Sequence, residues 1–134
     1  MPERVFPADK SALDDVLAFT GEQLEAAECP VKSIVPLTVA IEEMFVNVAD
    51  HAYPGEGGIV KYSIVSDGNT VTFRLADSGI PFDPLSIPDP DTTLSAEERE
   101  IGGLGIFMMK KTMDEVHYER RNGENILTMK KYLI

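Results

Sequence analysis

Apolar positions along residues 37–52 recur at a helical period. Leu37, Ile41, Met44, Phe45, Val48 and Ala52 fall on one side when the chain is wound at about 100° per residue. This predicts a buried stripe on a helix running from about Val31 or Ser33 to His51, with Pro36 tolerated in an early turn and Tyr53-Pro54-Gly55 as the stop. An earlier helix is expected from Asp9 or Ser11, where Ser11 and Asp14 stand at capping-box-like spacing. It would bury Leu13, Val16, Leu17 and Leu24 and end near Cys29-Pro30. The period then changes. Residues 58–65 and 70–76 read as two strands around Ser66-Asp67-Gly68-Asn69, whose Asp-Gly pair favours a tight turn. Val71, Phe73 and Leu75 face one way in the second of them, and Asp77 continues their parity, so an acid is aimed toward the core side at the strand end. Arg4-Val5-Phe6-Pro7 reads as a short edge strand, and residues 115–121 and 125–132 as two strands about the turn Asn122-Gly123-Glu124. Residues 85–100 carry prolines and acids with little periodicity, which predicts a mobile loop with at most a short helix near residues 95–98, able to serve as a lid. A last helix, through Ile106 to Met113, opens at the glycines of Gly102-Gly103-Leu104-Gly105.

The length of 134 residues suits one domain with a single ordinary core. The net charge of −11 argues against non-sequence-specific binding to nucleic acid or to an anionic membrane, since both need clustered Lys and Arg. An acidic chain that binds nucleotide needs a metal ion to do so, and it also suits a basic protein partner. The lone Cys29 excludes an internal disulfide and a cysteine-rich zinc site. The N-terminus shows no apolar signal region and no stretch approaches membrane-spanning length, so a soluble cytoplasmic protein is expected.

Chemistry enters on the flank of the long helix. Glu43, Asn47 and Asp50 follow one another at spacings of four and three, so their side chains stack along one line, while Glu42 points away from it. A carboxylate can act as a general base, and an amide oxygen is a hard neutral ligand suited to magnesium. The polar flank of an ordinary amphipathic helix would show the same pattern. The glycines before the last helix would let backbone N–H groups approach a phosphate at a helix N-terminus, or would form a hinge. Their spacing fits neither the P-loop nor the dinucleotide fingerprint. Asp77 is either the first residue of a strand-ending turn or a fixed acceptor for an adenine amino group, with Gly79 giving the base room to approach. His51 reads as a locally satisfied helix-end residue, and His117 as a strand residue without a metal partner at useful spacing. Met108, Met109 and Met113 read as core or as a protein-contact surface.

An acid-amide helix, a strand-end Asp-Ser-Gly, an acidic lid and Gly-Gly-Leu-Gly before a helix, in that order, resemble the ATP site of the GHKL superfamily, named for gyrase, the heat-shock chaperone, histidine kinases and MutL. The run from Glu43 to Tyr53, the length, and Met113-Asp114-Glu115-Val116 after the last helix most resemble the anti-sigma factor serine kinases of that superfamily, over essentially the whole chain. The resemblance implies an α+β fold in one domain over residues 1–134: a two-layer α/β sandwich of the Bergerat type, with a mixed, mainly antiparallel sheet and helices on one face. By the same resemblance Glu43 is the catalytic base, Asn47 the Mg2+ ligand, and Asp50 a neighbour of the nucleotide. Asp77 and Gly79 would receive adenine, Gly102, Gly103, Leu104 and Gly105 would lie by the phosphates of ATP, and residues 84–101 would form the lid. The implied activity is transfer of the γ-phosphate to a serine or threonine of a STAS-type antagonist, with a sigma factor or similar regulator as second partner and a homodimer as the assembly. One departure is visible. Ile101 stands where the better-known kinases of this family often carry an arginine; Arg99 is the nearest one, and Lys110 and Lys111 are candidate substitutes. An ATP-gated protein-binding switch without kinase activity is the alternative that this departure favours.

Overall fold

In the computed structural model, which describes residues 3–55, 57–87 and 103–133, five strands form one sheet. They are β1 (Glu3–Pro7), β2 (Ile59–Ser66), β3 (Thr70–Asp77), β4 (Glu115–Arg121) and β5 (Glu124–Tyr132), in the order β1-β2-β3-β5-β4. All four neighbouring pairs are antiparallel, so among these residues the expected mixed, mainly antiparallel sheet has no parallel pair and is antiparallel throughout. Helices α1 (Leu13–Ala26), α2 (Val31–His51) and α3 (Gly103–Thr112) pack on one face. Short 3-10 turns stand at Lys10–Ala12 and Pro84–Ser86. Most of the expected lid, the short helix near residues 95–98, Ile101 and Gly102 lie outside the described residues.

Burial follows the periodicity. Leu37, Ile41, Met44 and Phe45 of α2 are buried against Tyr62, Phe73, Leu75 and Met129 of the sheet. Each such side chain contributes about 1.5–3 kcal/mol, against a few tenths of a kcal/mol of helix propensity lost at each Val and Ile. Packing therefore decides that this valine-rich segment is a helix. Pro36 falls in the second turn, where it removes the amide donor for the carbonyl of Lys32; the long apolar stripe outweighs that loss. In α1 the details differ from expectation. Asp9, not Ser11, supplies the side-chain cap, accepting from the Ser11 amide at 3.0 Å and setting a 3-10 turn before the helix starts at Leu13. Phe19 is buried while Leu17 is only half-buried, because Phe19 packs its ring against Phe6 and Tyr62 at centroid distances of 6.1 and 5.5 Å. The Tyr62 hydroxyl bonds to Thr20 Oγ1 at 2.7 Å, tying α1 to β2, and burial pushes this phenol well above its ordinary range.

Two hairpins set the register. Asp67 Oδ1 accepts from the amides of Asn69 and Thr70 and closes the β2–β3 turn, as its Asp-Gly pair foretold. In the β4–β5 hairpin Arg121 pairs with Glu124 across the Asn122-Gly123 turn. This hairpin returns β5 to the sheet interior beside β3, which places Asn125 directly opposite Asp77. That pairing is the fold's main contribution to the site.

Candidate functional site

The last two turns of α2 form the wall shared by two adjoining pockets. The first is mainly apolar and lies between α2 and the ends of β3 and β5, lined by Met44, Val48, Leu75, Phe82 and Leu127 with Asp77 and Asn125 among them. The second is the more polar of the two, and Glu43, Asn47, Asp50 and Gly105 all line it. Asn47 and His51 border both. The stacking of Glu43, Asn47 and Asp50 predicted from spacing is thus realised, and the start of α3 closes the same pocket.

Asp77 is 5% exposed, as the parity of β3 required. Its Oδ1 accepts from the Gly79 amide and from Asn125 Nδ2, each at 2.9 Å, so the carboxylate closes the turn after β3 and is held in place by β5. Oδ2 takes no hydrogen bond from the described residues, and the residue lines the apolar pocket. A carboxylate oxygen held by one neighbour and open at the other is a rigid acceptor. Gly79 is explained by the protein itself, because a Cβ there would run into the backbone carbonyl of Ala52 at the end of α2. The Ile80 amide donates to that same carbonyl at 2.9 Å, locking the loop after β3 onto the helix. Tyr53 adds a second staple: its hydroxyl accepts from the Ser78 amide and donates to the Ile59 carbonyl, both at 2.7 Å.

Sequence reading missed Asn125. It is 6% exposed, and besides Asp77 its Nδ2 donates to the Ile80 carbonyl at 2.8 Å, while its Oδ1 accepts from the Phe82 amide at 3.2 Å and the Tyr118 hydroxyl at 2.5 Å. Arg120 donates to the Gly79 carbonyl at 2.8 Å from the same hairpin. No spacing rule links residues 77 and 125; only the strand register brings them together. Phe82, also missed, stacks on the His51 ring at 5.4 Å and an angle of 27°, and both line the apolar pocket.

At the polar end, the first turn of α3 passes so close to Glu43 that a Cβ on Gly105 would meet the Glu43 Oε2 atom. The glycine permits the contact, and it sets the carboxylate beside the N-terminal, positively polarised end of the helix. Leu104, on that first turn, is 37% exposed; Ile106 rather than Leu104 lines the pocket. Gly103 is the first residue of α3. Asp50 sits at the rim, with Lys10 Nζ 3.2 Å from its Oδ1. Among the described residues no group of three His, Cys, Asp or Glu is placed to cage a metal. The donor set is instead the Asn47 amide, which makes no hydrogen bond to the described residues, flanked by Glu43 and Asp50. One neutral oxygen with room around it fits magnesium, which keeps waters and shares phosphate oxygens. Lys111, one candidate substitute for the missing arginine, is placed elsewhere: it lines a groove with Lys32 and Lys131 beside the start of α2, because α3 runs away from Glu43 along that helix.

The antiparallel sheet under three helices thus sets the acid-amide line of α2 opposite a glycine-opened helix. Residues 6–131 match the model of the histidine kinase-like ATPase domain, and the chain belongs to that family. It is 35% identical over 109 residues to the serine-protein kinase RsbW of Listeria monocytogenes, covering 76% of this chain and 68% of that one. To the serine/threonine-protein kinase BtrW of Bordetella bronchiseptica it is 30% identical over 94 residues, 69% of this chain and 66% of the relative. An anti-sigma F factor of a Thermoanaerobacter species is 26% identical over 119 residues, 88% of this chain and 81% of its own. The fold matches the crystal structure of the RsbU and RsbW domains of a Mycobacterium tuberculosis protein with a TM-score of 0.63 at 20% identity, covering 99% of this chain and 33% of that one. The chain thus spans just under two thirds of the Bordetella relative. No described helix is long and apolar enough to cross a membrane.

Proposed function

We propose that the chain is an ATP-dependent serine/threonine protein kinase that phosphorylates a STAS-type antagonist and binds a sigma factor or similar regulator, in the cytoplasm. The observation that carries the proposal is the convergence of Glu43, Asn47 and Gly105 on one pocket next to the apolar pocket that holds Asp77. Adenine would enter the apolar pocket and donate its amino group to Asp77 Oδ2, with Gly79 and Phe82 beside it. The phosphates would run past Asn47 toward the backbone amides at Gly103, Leu104 and Gly105. The Asn47 amide would be the protein ligand of Mg2+, with Asp50 nearby, and the bound ion would supply charge that offsets the phosphates. Glu43 would accept the proton of the incoming hydroxyl. The hydroxyl oxygen then bonds to the γ-phosphorus as the bond from that phosphorus to the ADP oxygen breaks. Such a transfer relies chiefly on positioning of the reactants and on neutralising the phosphate charge.

Binding is tested by the rise in melting temperature that ATP produces, with and without magnesium, since a ligand that binds only the folded state stabilises it by about 2.7 kcal/mol at a hundredfold excess over Kd. The expected result is a magnesium-dependent rise that Asn47→Ala reduces; no rise at millimolar ATP would overturn the proposal. Transfer is tested with labelled ATP and purified STAS-type proteins from the same organism. The alternative, an ATP-gated binding switch without transfer, is favoured by Ile101 and by the placement of Lys111 away from the pocket. ATP-dependent binding of such a protein with no label transferred would establish it.

A further inference from the structure

The first turns of α2, at the end of that helix away from Asn47 and His51, differ in charge from the rest of the molecule. There α2, the last turn of α3 and the end of β5 frame a groove walled by Lys32, Lys111 and Lys131, with the hydroxyl-bearing Ser33 and Thr112 beside them. No acid lines this groove among the described residues, in a chain that carries 23 acidic residues against 12 lysines and arginines. Two of the lysines have local accounts. Lys111 suits the C-terminal end of α3 and lies 5.3 Å over the Phe107 ring, and Lys131 Nζ is 3.7 Å from Asp114. Lys32 has none. It stands in the first turn of α2, where the helix dipole favours an acid and disfavours a cation, and that turn contains no acid.

Beside Lys32 the outward face of α2 is apolar. Val31, Val35 and Val39 follow at spacings of four and are 84%, 68% and 36% exposed. They form one ridge opposite the buried stripe, where charged side chains normally lie. Neither helix propensity nor hydration favours exposed valines there. Because Lys32 and Val35 are three residues apart, the cationic wall and the apolar ridge are one surface.

We infer that this surface docks an acidic amphipathic segment of a protein partner, laying its apolar side on Val31 and Val35 and its carboxylates against Lys32, Lys111 and Lys131. Charge complementarity selects the occupant. A second copy pairing symmetrically would set lysine against lysine, and a polyanion such as nucleic acid needs more phosphate contacts than the three lysines of this groove supply. Acids elsewhere on the molecule interfere little, since the Debye length is about 8 Å at physiological salt. Helix α3 runs from Gly105, against Glu43, to Lys111 in the groove, so a docked partner would sit one helix away from the nucleotide pocket. The inference rests on the proposed reading that this chain binds a regulatory protein.

The test is calorimetric titration of the chain with purified sigma factors and STAS-type proteins of the same organism, comparing the natural chain with the double variant Lys32→Glu, Lys111→Glu. The double variant is expected to weaken binding of at least one of these proteins by about tenfold or more, with its ATP-induced rise in melting temperature unchanged. Should the double variant not fold, Val35→Asp replaces it with the same expectation. Binding within about twofold of the natural chain would overturn the docking surface and leave the partner reading standing. If the natural chain binds none of these proteins, the partner reading fails and the docking surface with it.

Discussion

The two adjoining pockets are built by different means. At the polar end, Glu43, Asn47 and Asp50 come from one helix and are aligned by its geometry alone. At the apolar end, Asp77 is held by Asn125, forty-eight positions away, through a bond that exists only when β5 returns beside β3. The first arrangement depends on α2 being helical. The second depends on the whole sheet closing in one register, so it answers to changes in packing that leave the helix intact.

That difference can be broken open by substitution. Glu43→Gln should cut phosphate transfer by roughly 10³-fold, about 4 kcal/mol in the barrier, while ATP still raises the melting temperature. A variant that transfers at the natural rate would remove Glu43 from the proposed chemistry. Gly79→Ala should cost about 3 kcal/mol or more of stability, because the added Cβ meets backbone at Ala52 that cannot rotate away. Urea unfolding with an unchanged midpoint would show that the loop after β3 is not tied to α2 as described. Asn125→Ala should lower stability by about 2 kcal/mol, since the buried Asp77 oxygen and the Phe82 amide lose a partner. It should weaken ATP binding without changing its magnesium requirement; an effect on magnesium alone would mean that the two pockets are not built separately. Gly105→Ala gives the smallest change in stability and the sharpest contrast. Its Cβ would meet the mobile end of the Glu43 side chain rather than backbone, and alanine favours the helix by about 1 kcal/mol. The expected outcome is a protein no less stable than the natural one in which transfer falls, because Glu43 is displaced. A fall in both would place the cost in α3 itself.

Legibility in the sequence divided along the same line. The helical stripe, the parity of Asp77, both hairpin turns and the opening of α3 at its glycines follow from interactions within a few residues, and the structure shows each of them. The errors in α1 were also local, but in a competition that spacing cannot judge. Asp9 and Ser11 both offer caps, and the choice between Leu17 and Phe19 was made by the rings of Phe6 and Tyr62 on other elements. Gly79 shows a subtler division: the sequence offered it as room for a base, whereas the neighbour in the structure that demands a glycine is the carbonyl of Ala52, which no local pattern shows.

By itself the sequence determined the helix that carries Glu43, Asn47 and Asp50, the strand end that aims Asp77 inward, and the turns that pair neighbouring strands, because each depends on backbone periodicity and short-range hydrogen bonding. Only the tertiary structure decided that Asn125 and Tyr118 complete the Asp77 network, that Phe82 stacks on His51, that Gly105 abuts Glu43, and that Lys111 stands with Lys32 and Lys131 instead of at the pocket of Glu43 and Asn47. Those contacts join residues far apart in the chain, and their positions are set by the order of strands in the sheet and the direction of α3 across α2, which no local pattern encodes.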